Sequence, residues 1–328
     1  MNLPDLVRRR AARLGAAGTA WLSGLEDLVA ELEQRWSITV GPPMAGGSAA
    51  YVARARDAAG RDVVLKIDPP DPELGTSDRV RVLRAACGRG YVRLLADDVQ
   101  HRALLLEGLG GPLSGAGLVP ERQMEVLCDL LAQAWQVPRA ASATRDQAQQ
   151  KAVELGGLVS SLWDRQNRPC SEHVVGLALE YAEQRRAGTT LEGAVVVHGD
   201  PHPDNALQVP VARPGARAGH VFVDPDGFLA DPAYDLGVVL RGWCPELLSG
   251  SPADAVAKAR GYCRLLASRS GLDAAAIWQW GFIERVSSGL YLLELGADEM
   301  ARQYLGTAER LASIQWDRGR GASPGAAV

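Results

Sequence analysis

The chain has 328 residues, of which 47% are hydrophobic and 23% charged, and a formal net charge of -4. That much apolar material excludes a disordered chain and is enough to bury a full core, most naturally as two lobes or domains. A slightly negative balance without a long Lys/Arg block lacks the electrostatic footprint of a protein that grips a nucleic-acid backbone. Cys87, Cys128, Cys170, Cys244 and Cys263 are widely scattered with no C-x-x-C pair. An odd set at such spacing fits free thiols in a reducing compartment and predicts neither disulfides nor a zinc site.

Near the N-terminus, Arg8-Arg9-Arg10 before an Ala/Gly/Leu stretch has the outline of a secretory leader, but Arg13 interrupts the apolar run. From Trp21 to Trp36, Leu22, Leu25, Leu28, Val29 and Leu32 recur at helical spacing, with Glu26, Asp27, Glu31 and Glu33 on the other face. This predicts a mature amphipathic helix. No stretch approaches the ~18 consecutive apolar residues of a membrane span, so a soluble cytoplasmic protein is expected, a monomer or weak dimer with no membrane partner.

Strand signals follow at Ser37–Val40, Ala50–Ala55, Asp62–Ile67, Val92–Leu95 and Ala103–Glu107. Asp57-Ala58-Ala59-Gly60 supplies turn chemistry, Pro69-Pro70 ends the third strand, and a helix is predicted from Ser77 to Ala86. Together these predict a small, mostly antiparallel five-stranded sheet with one helix. Beyond Gly108 the spacing becomes helical, over Glu121–Gln136, Asp146–Trp163, Ser171–Arg186, Asp254–Ser270, Ala274–Leu295 and Glu299–Ile314. Two apolar runs interrupt it, Ala194–Val197 and His220–Val223, and each leads into a cluster of polar residues.

The first cluster is His198-Gly199-Asp200-Pro201-His202-Pro203-Asp204-Asn205. A carboxylate and a carboxamide five residues apart on a loop after a strand can face one point, with Asp200 accepting a hydroxyl proton and Asn205 offering its carbonyl oxygen to Mg2+. The same spacing separates Asp and Asn in the protein-kinase catalytic loop. The plainer alternative is a Pro-rich turn whose polar residues cap local backbone. The second cluster, Asp224-Pro225-Asp226-Gly227, begins less than twenty residues after Asn205, where a kinase carries its metal-binding Asp. Asp224 is the expected second metal ligand, and Asp226 is either an outer ligand or a turn residue. Asp231-Pro232-Ala233-Tyr234-Asp235 reads as a helix start, with Asp231 and Asp235 structural and Asp235 bracing the catalytic loop. Lys66, at the end of the third strand, is either a solvated edge residue or, in a lobe that precedes the Asp/Asn loop, the partner of nucleotide phosphates. Gly46, Gly47 and Ser48 sit in a loop able to cover those phosphates with backbone N–H groups, although the full G-x-G-x-x-G pattern is absent.

These motifs, with Trp21-Leu22, Tyr91-Val92-Arg93-Leu94-Leu95 and Leu104-Leu105-Leu106-Glu107, resemble the aminoglycoside phosphotransferases over nearly the whole chain, and among them the streptomycin 6-kinase-like aminoglycoside/hydroxyurea resistance kinases. The resemblance implies an α+β, protein-kinase-like bilobal fold: N-terminal helices and a small nucleotide-binding lobe over 1–107, a mainly helical catalytic and substrate lobe over 108–318, and a flexible tail over 319–328. It implies ATP and Mg2+, and a hinge at Glu107 and Leu109 that holds the adenine by backbone hydrogen bonds. It also implies an acidic partner for Lys66 on the first small-lobe helix. There the register is open between Glu73 and Asp78, with Arg79 close to the expected position. The insertion Pro210–Gly219 is expected to be an exposed loop.

A polyhydroxylated, cationic small molecule is the expected acceptor, drawn to carboxylates of the helical lobe. Glu246, Glu284 and Glu294, with Trp243, are the candidate contacts, against the plainer reading of surface charges and a core aromatic. Kinases of other small hydroxyl compounds (an amino sugar, a choline-like alcohol, a macrolide or hydroxyurea) would carry the same machinery, and a catalytically silent pseudokinase is the alternative of a different class.

Overall fold

The computed structural model describes residues 3–44, 50–71, 75–142, 147–314 and 316. In chain order the elements are α1 (Asp5–Arg13), α2 (Gly15–Trp36), β1 (Ile38–Pro43), β2 (Tyr51–Asp57), β3 (Asp62–Ile67), α3 (Thr76–Ala86), β4 (Leu94–Asp98), β5 (Ala103–Glu107), α4 (Pro120–Ala134), α5 (Gln150–Arg165), α6 (Glu172–Gly188), β6 (Val195–Val196), β7 (Ala206–Gln208), β8 (His220–Phe222), β9 (Leu229–Ala230), α7 (Ala233–Arg241), α8 (Cys244–Leu248), α9 (Pro252–Ser270), α10 (Ala274–Glu294) and α11 (Asp298–Leu311). The chain clusters into two units, Met1–Asp146 with Val195–Leu229, and Gln147–Ala194 with Ala230–Val328. Among the described residues no helix is long and apolar enough to cross a membrane.

The first unit is built on an antiparallel sheet in the order β1-β2-β3-β5-β4. Side chains alternate across a strand, so Leu65 and Ile67 of β3 face one way and Lys66 the other. The first face is closed by α2, whose Leu25, Val29 and Leu32 pack with Tyr51, Ala53, Leu65, Ile67 and Ala103. The helix therefore covers the face away from Lys66. Lys66 stands opposite Val52 on β2 and Leu104 on β5, in the middle of the sheet, so it is no edge residue.

The boundary expected at residue 107 falls inside this unit. A parallel bridge joins Tyr91 to Phe222, an antiparallel one joins Pro112 to Leu207, and the β7–β8 hairpin is tied to both sides of the hinge. The 210–219 insertion is less free than its composition suggests. Val211 is 77% exposed, yet the Arg213 side chain is only 7% exposed. It donates to the Tyr91 carbonyl at 3.1 Å and to both oxygens of Glu107. The Gly215 carbonyl accepts the Gly90 N–H at 2.8 Å. The expected tail over 319–328 lies outside the described residues.

The second unit is helical and centres on α10, which is buried on almost every side from Ala275 to Leu290. Its apolar residues do not favour one face, as suits a helix surrounded by others. Tyr234 of α7 meets Trp280 edge-on, with ring centroids 5.2 Å apart. The two helices approach closely because Gly237 has no side chain: a Cβ there would fall 2.4 Å from the Trp280 Cβ and 2.7 Å from the Gly281 nitrogen. Arg285, 2% exposed, donates to the Leu240 and Gly242 carbonyls and so satisfies the C-terminal end of α7. The neighbouring backbone atoms cannot move aside alone, so Gly237→Ala is expected to destabilise the protein by about 1–3 kcal/mol despite alanine's better helix propensity. Urea denaturation of the two proteins measures it.

Candidate active site

The first polar cluster is anchored by a buried imidazole. Val196, Val197 and His198 have no exposed surface, and the Val197 N–H donates to the Phe228 carbonyl at 3.0 Å. His198 lies parallel to Tyr91, with centroids 5.9 Å apart, and tilts against Phe222 at 4.6 Å. Its Nε2 donates to the Val223 carbonyl at 2.8 Å while Nδ1 accepts the Asp200 N–H at 3.1 Å. One nitrogen must therefore be bare. Burial reinforces this and lowers the imidazole pKa to about 4, although Asp200 pulls the other way.

Gly199 has φ +95°, and a Cβ there would come within 2.6 Å of the Asp226 side chain. Only glycine combines that backbone with that approach. The turn leaves the Asp200 side chain 38% exposed, with His202 Nε2 3.3 Å from its Oδ2. The Asn205 amide donates to the Asp200 carbonyl at 3.0 Å, which turns the carboxamide oxygen away from the loop backbone and keeps it available to a cation.

Pairing of β7 with β8 sets the second cluster beside the first. Ala206 faces Phe222, and the Val223 N–H donates to the Asn205 carbonyl at 2.9 Å. Asn205 immediately precedes β7 and Asp224 lies just beyond β8, so the two expected metal ligands occupy adjacent strand ends. Asp224 has φ +55°, a left-handed conformation that Asp tolerates better than most side chains. Its oxygens, with that of Asn205, form the hard donor set that suits Mg2+, which keeps its remaining positions for water and phosphate.

Lys66 reaches this point from the sheet. Its Nζ donates to Asp224 Oδ1 and lies 3.8 Å from Asp68 Oδ1. Asp68, 1% exposed, accepts hydrogen bonds through Oδ2 from Thr76 at 2.8 Å and from Arg79 Nη1 at 2.6 Å. Arg79 Nε stands 3.7 Å from Asp224 Oδ1. Burial alone would raise the Asp224 pKa, but the adjacent ammonium and guanidinium lower it to about 2. Burial likewise opposes the charge on Arg79, and the carboxylates of Asp224, Asp68 and Asp226 outweigh it and raise its pKa.

Lys66, Asp200, Asn205 and Asp224 are thus gathered in one unit, while other expected residues fall elsewhere. Glu107 spends its carboxylate on Arg213 and on the Arg93 N–H at 2.9 Å, its own N–H donates to the Arg93 carbonyl at 3.0 Å, and Leu109 is buried. Gly46, Gly47, Ser48 and Glu73 lie outside the described residues. Asp78 is paired with Arg81 on its own helix. In the second unit, Glu284 is 3% exposed and accepts from Tyr234 at 2.7 Å and Arg241 at 2.6 Å. Glu294 accepts from Gln166 at 2.7 Å. These two stand ten residues apart on α10, about 15 Å along the axis, and do not converge. Trp243 donates to the Val239 carbonyl at 2.9 Å and packs on Tyr262, and Glu246 lies on the short α8 that it caps. Asp231 accepts the Ala233 N–H at 2.9 Å, as a helix-start residue should, and Asp235 is fully buried in the first turn of α7.

The sequence reading missed Asp68 and Arg79, though both left signals. Asp68 is two residues beyond Lys66 and therefore on the same side of an extended chain. Arg79 shares a helix face with the buried Thr76, Val80 and Leu83.

Comparison with known proteins identifies the family. The chain is 28% identical over 301 residues to the streptomycin 6-kinase of Streptomyces glaucescens, covering 90% of this chain and 92% of that one. It is 30% identical over 314 residues to the hydroxyurea phosphotransferase of Kitasatospora aureofaciens, covering 94% and 84%. Among solved structures, the GDP complex of aminoglycoside 2'-phosphotransferase-IIIa superposes with a TM-score of 0.57 at 13% identity, covering 87% of this chain and 97% of that chain. The model of the phosphotransferase enzyme family matches residues 41–278, well over half of the sequence, and the chain belongs to that family.

Proposed function

We propose that the protein is a Mg2+- and ATP-dependent cytoplasmic kinase that phosphorylates a hydroxyl group of an aminoglycoside-like compound, with streptomycin the first acceptor to test. The observation that carries this reading is the pairing of Lys66 with Asp224 on the strand end next to Asn205, whose carboxamide is bonded to the backbone of a partly exposed Asp200. The curated relatives, one named for streptomycin and one for hydroxyurea, support a small acceptor and divide over which.

Asn205 and Asp224 would hold the metal, which when bound neutralises charge on the phosphates. Lys66 offers an ammonium to a phosphate oxygen. Asp200 accepts the proton of the acceptor hydroxyl as its oxygen bonds to the terminal phosphorus and the bond to the nucleoside diphosphate breaks. His198 does not exchange protons in this scheme. With Nδ1 occupied by the Asp200 N–H and Nε2 by Val223, it keeps the base and the metal-binding strand end in register. Charged groups fixed before the substrates arrive spare the reorganisation that water would require.

Incubation with Mg-ATP and a panel of streptomycin, other aminoglycosides, amino sugars and hydroxyurea, read by mass spectrometry, is expected to give one phosphoryl group added to an aminoglycoside. A parallel GTP arm tests the donor. Phosphorylation of hydroxyurea alone would replace the proposed acceptor, and nucleotide binding without transfer to any compound would favour a silent ligand-binding protein. Asp200→Asn is expected to lower kcat by about 10²–10⁴-fold while the circular dichroism spectrum stays unchanged, because the replacement has the same shape and the side chain is partly exposed. Near-normal turnover in that variant would remove Asp200 from the mechanism.

A further inference from the structure

The charge arrangement around Lys66 is inverted relative to expectation. Arg79 of α3 faces this cluster, Asp78 pairs with Arg81, and a carboxylate comes instead from just beyond β3, as Asp68. Four groups form the cluster: two cations, Lys66 and Arg79, and two carboxylates, Asp68 and Asp224. Lys66 and Arg79 are 6% and 5% exposed, and Asp68 is 1% exposed.

Two buried atoms of this cluster make no hydrogen bond with any described residue. One is an acceptor, Asp68 Oδ1, and the other a donor, Arg79 Nε. Such orphans are costly and uncommon in folded proteins. Here they have matching positions: Asp68 Oδ1 is 3.8 Å from Lys66 Nζ, and Arg79 Nε is 3.7 Å from Asp224 Oδ1. Both therefore flank the one contact that a metal ion on Asp224 would have to break, that between Lys66 and Asp224.

We propose that Asp68 is the acidic partner of Lys66, that Thr76 and Arg79 fix it in place, and that Lys66 turns from Asp224 to Asp68 Oδ1 when a metal–nucleotide complex occupies Asp224. The proposal rests on the kinase reading given above and adds a role for two residues that reading does not use. Asp68 and Arg79 act through Lys66 and Asp224, so they are positioning residues. Thr76 and Arg79, one turn apart on α3, both engage the same Asp68 oxygen, which ties the first turn of that helix to the phosphate-binding lysine. Losing Asp224 as a partner then leaves Lys66 oriented, because a second carboxylate waits within a small side-chain rotation.

The protein contains three lysines, Lys66, Lys151 and Lys258, so its lysine side-chain NMR spectrum is simple enough to assign by substitution. In the full chain, Mg2+ with a non-hydrolysable ATP analogue is expected to shift the Lys66 signal and leave the other two unmoved. Asp68→Asn is expected to weaken analogue binding and kcat/KM by about 10- to 100-fold, the loss typical of a hydrogen bond to a charged group. Asp78→Asn, which removes one of the two carboxylates considered from sequence, is expected to change neither. Because Asp68→Asn leaves Arg79 buried without its partner, the double variant Asp68→Asn/Arg79→Gln provides a neutral version of the same pair, and it is expected to fold and to show the same weakened binding. Wild-type affinity in either folded variant overturns the proposal while leaving the kinase reading intact. Failure of the unaltered protein to bind the analogue with Mg2+ overturns both.

Discussion

The arrangement of the first unit depends on one imidazole that is kept from ionising. His198 touches the two polypeptide segments whose side chains are expected to handle the acceptor proton and the metal. It can do so only with one nitrogen as donor and the other as acceptor. Protonation would put a second hydrogen where the Asp200 N–H already points. Complete burial between Tyr91 and Phe222 makes that state expensive, so the environment of the ring and the geometry of the loop enforce each other. Gly199 lets the chain turn immediately afterwards, and the Asp200 side chain emerges, 38% exposed, from an otherwise apolar foundation.

Around that foundation the electrostatics are balanced pair by pair. Isolated buried charges would be untenable, and each of Lys66, Asp68, Arg79 and Asp224 has an opposite neighbour within 4 Å. If the proposed metal–nucleotide complex binds here, it would bring its own charges and redistribute the contacts already present. The buried orphan atoms mark where that redistribution has room. The second unit handles charge differently: Glu284 and Arg241 neutralise each other, whereas Arg285 is satisfied by backbone carbonyls, a thiol and Thr307 rather than by a carboxylate.

Local patterns carried much of this architecture. Alternation in Asp62–Ile67 and the 3.6-residue period in Trp21–Trp36 were enough to anticipate the sheet and the helix that covers it. The Asp200/Asn205 spacing was legible for the same reason, because both residues lie on one short loop. Contacts closed over long sequence separations were not legible. The burial of Arg79 could be read from its helix face, but its partner Asp224, far along the chain beyond β8, could not. Carboxylates on α10 looked alike in the sequence, yet Glu284 points into the helical core and Glu294 does not, a difference set by the neighbouring helices. The hairpin insertion is largely exposed, as its composition suggested, but the anchoring of Arg213 on Glu107 and Tyr91 could not be read from that composition.

That residue makes the hinge a composite structure. The end of the 103–107 strand is tied to a segment more than a hundred positions downstream, which supplies a guanidinium to Glu107 and to the Gly88 and Tyr91 carbonyls. Chimaeras that exchange the 210–219 loop for a shorter hairpin would thus leave the Glu107 carboxylate without its guanidinium. Modular swapping is safe here only when both halves of the clasp travel together.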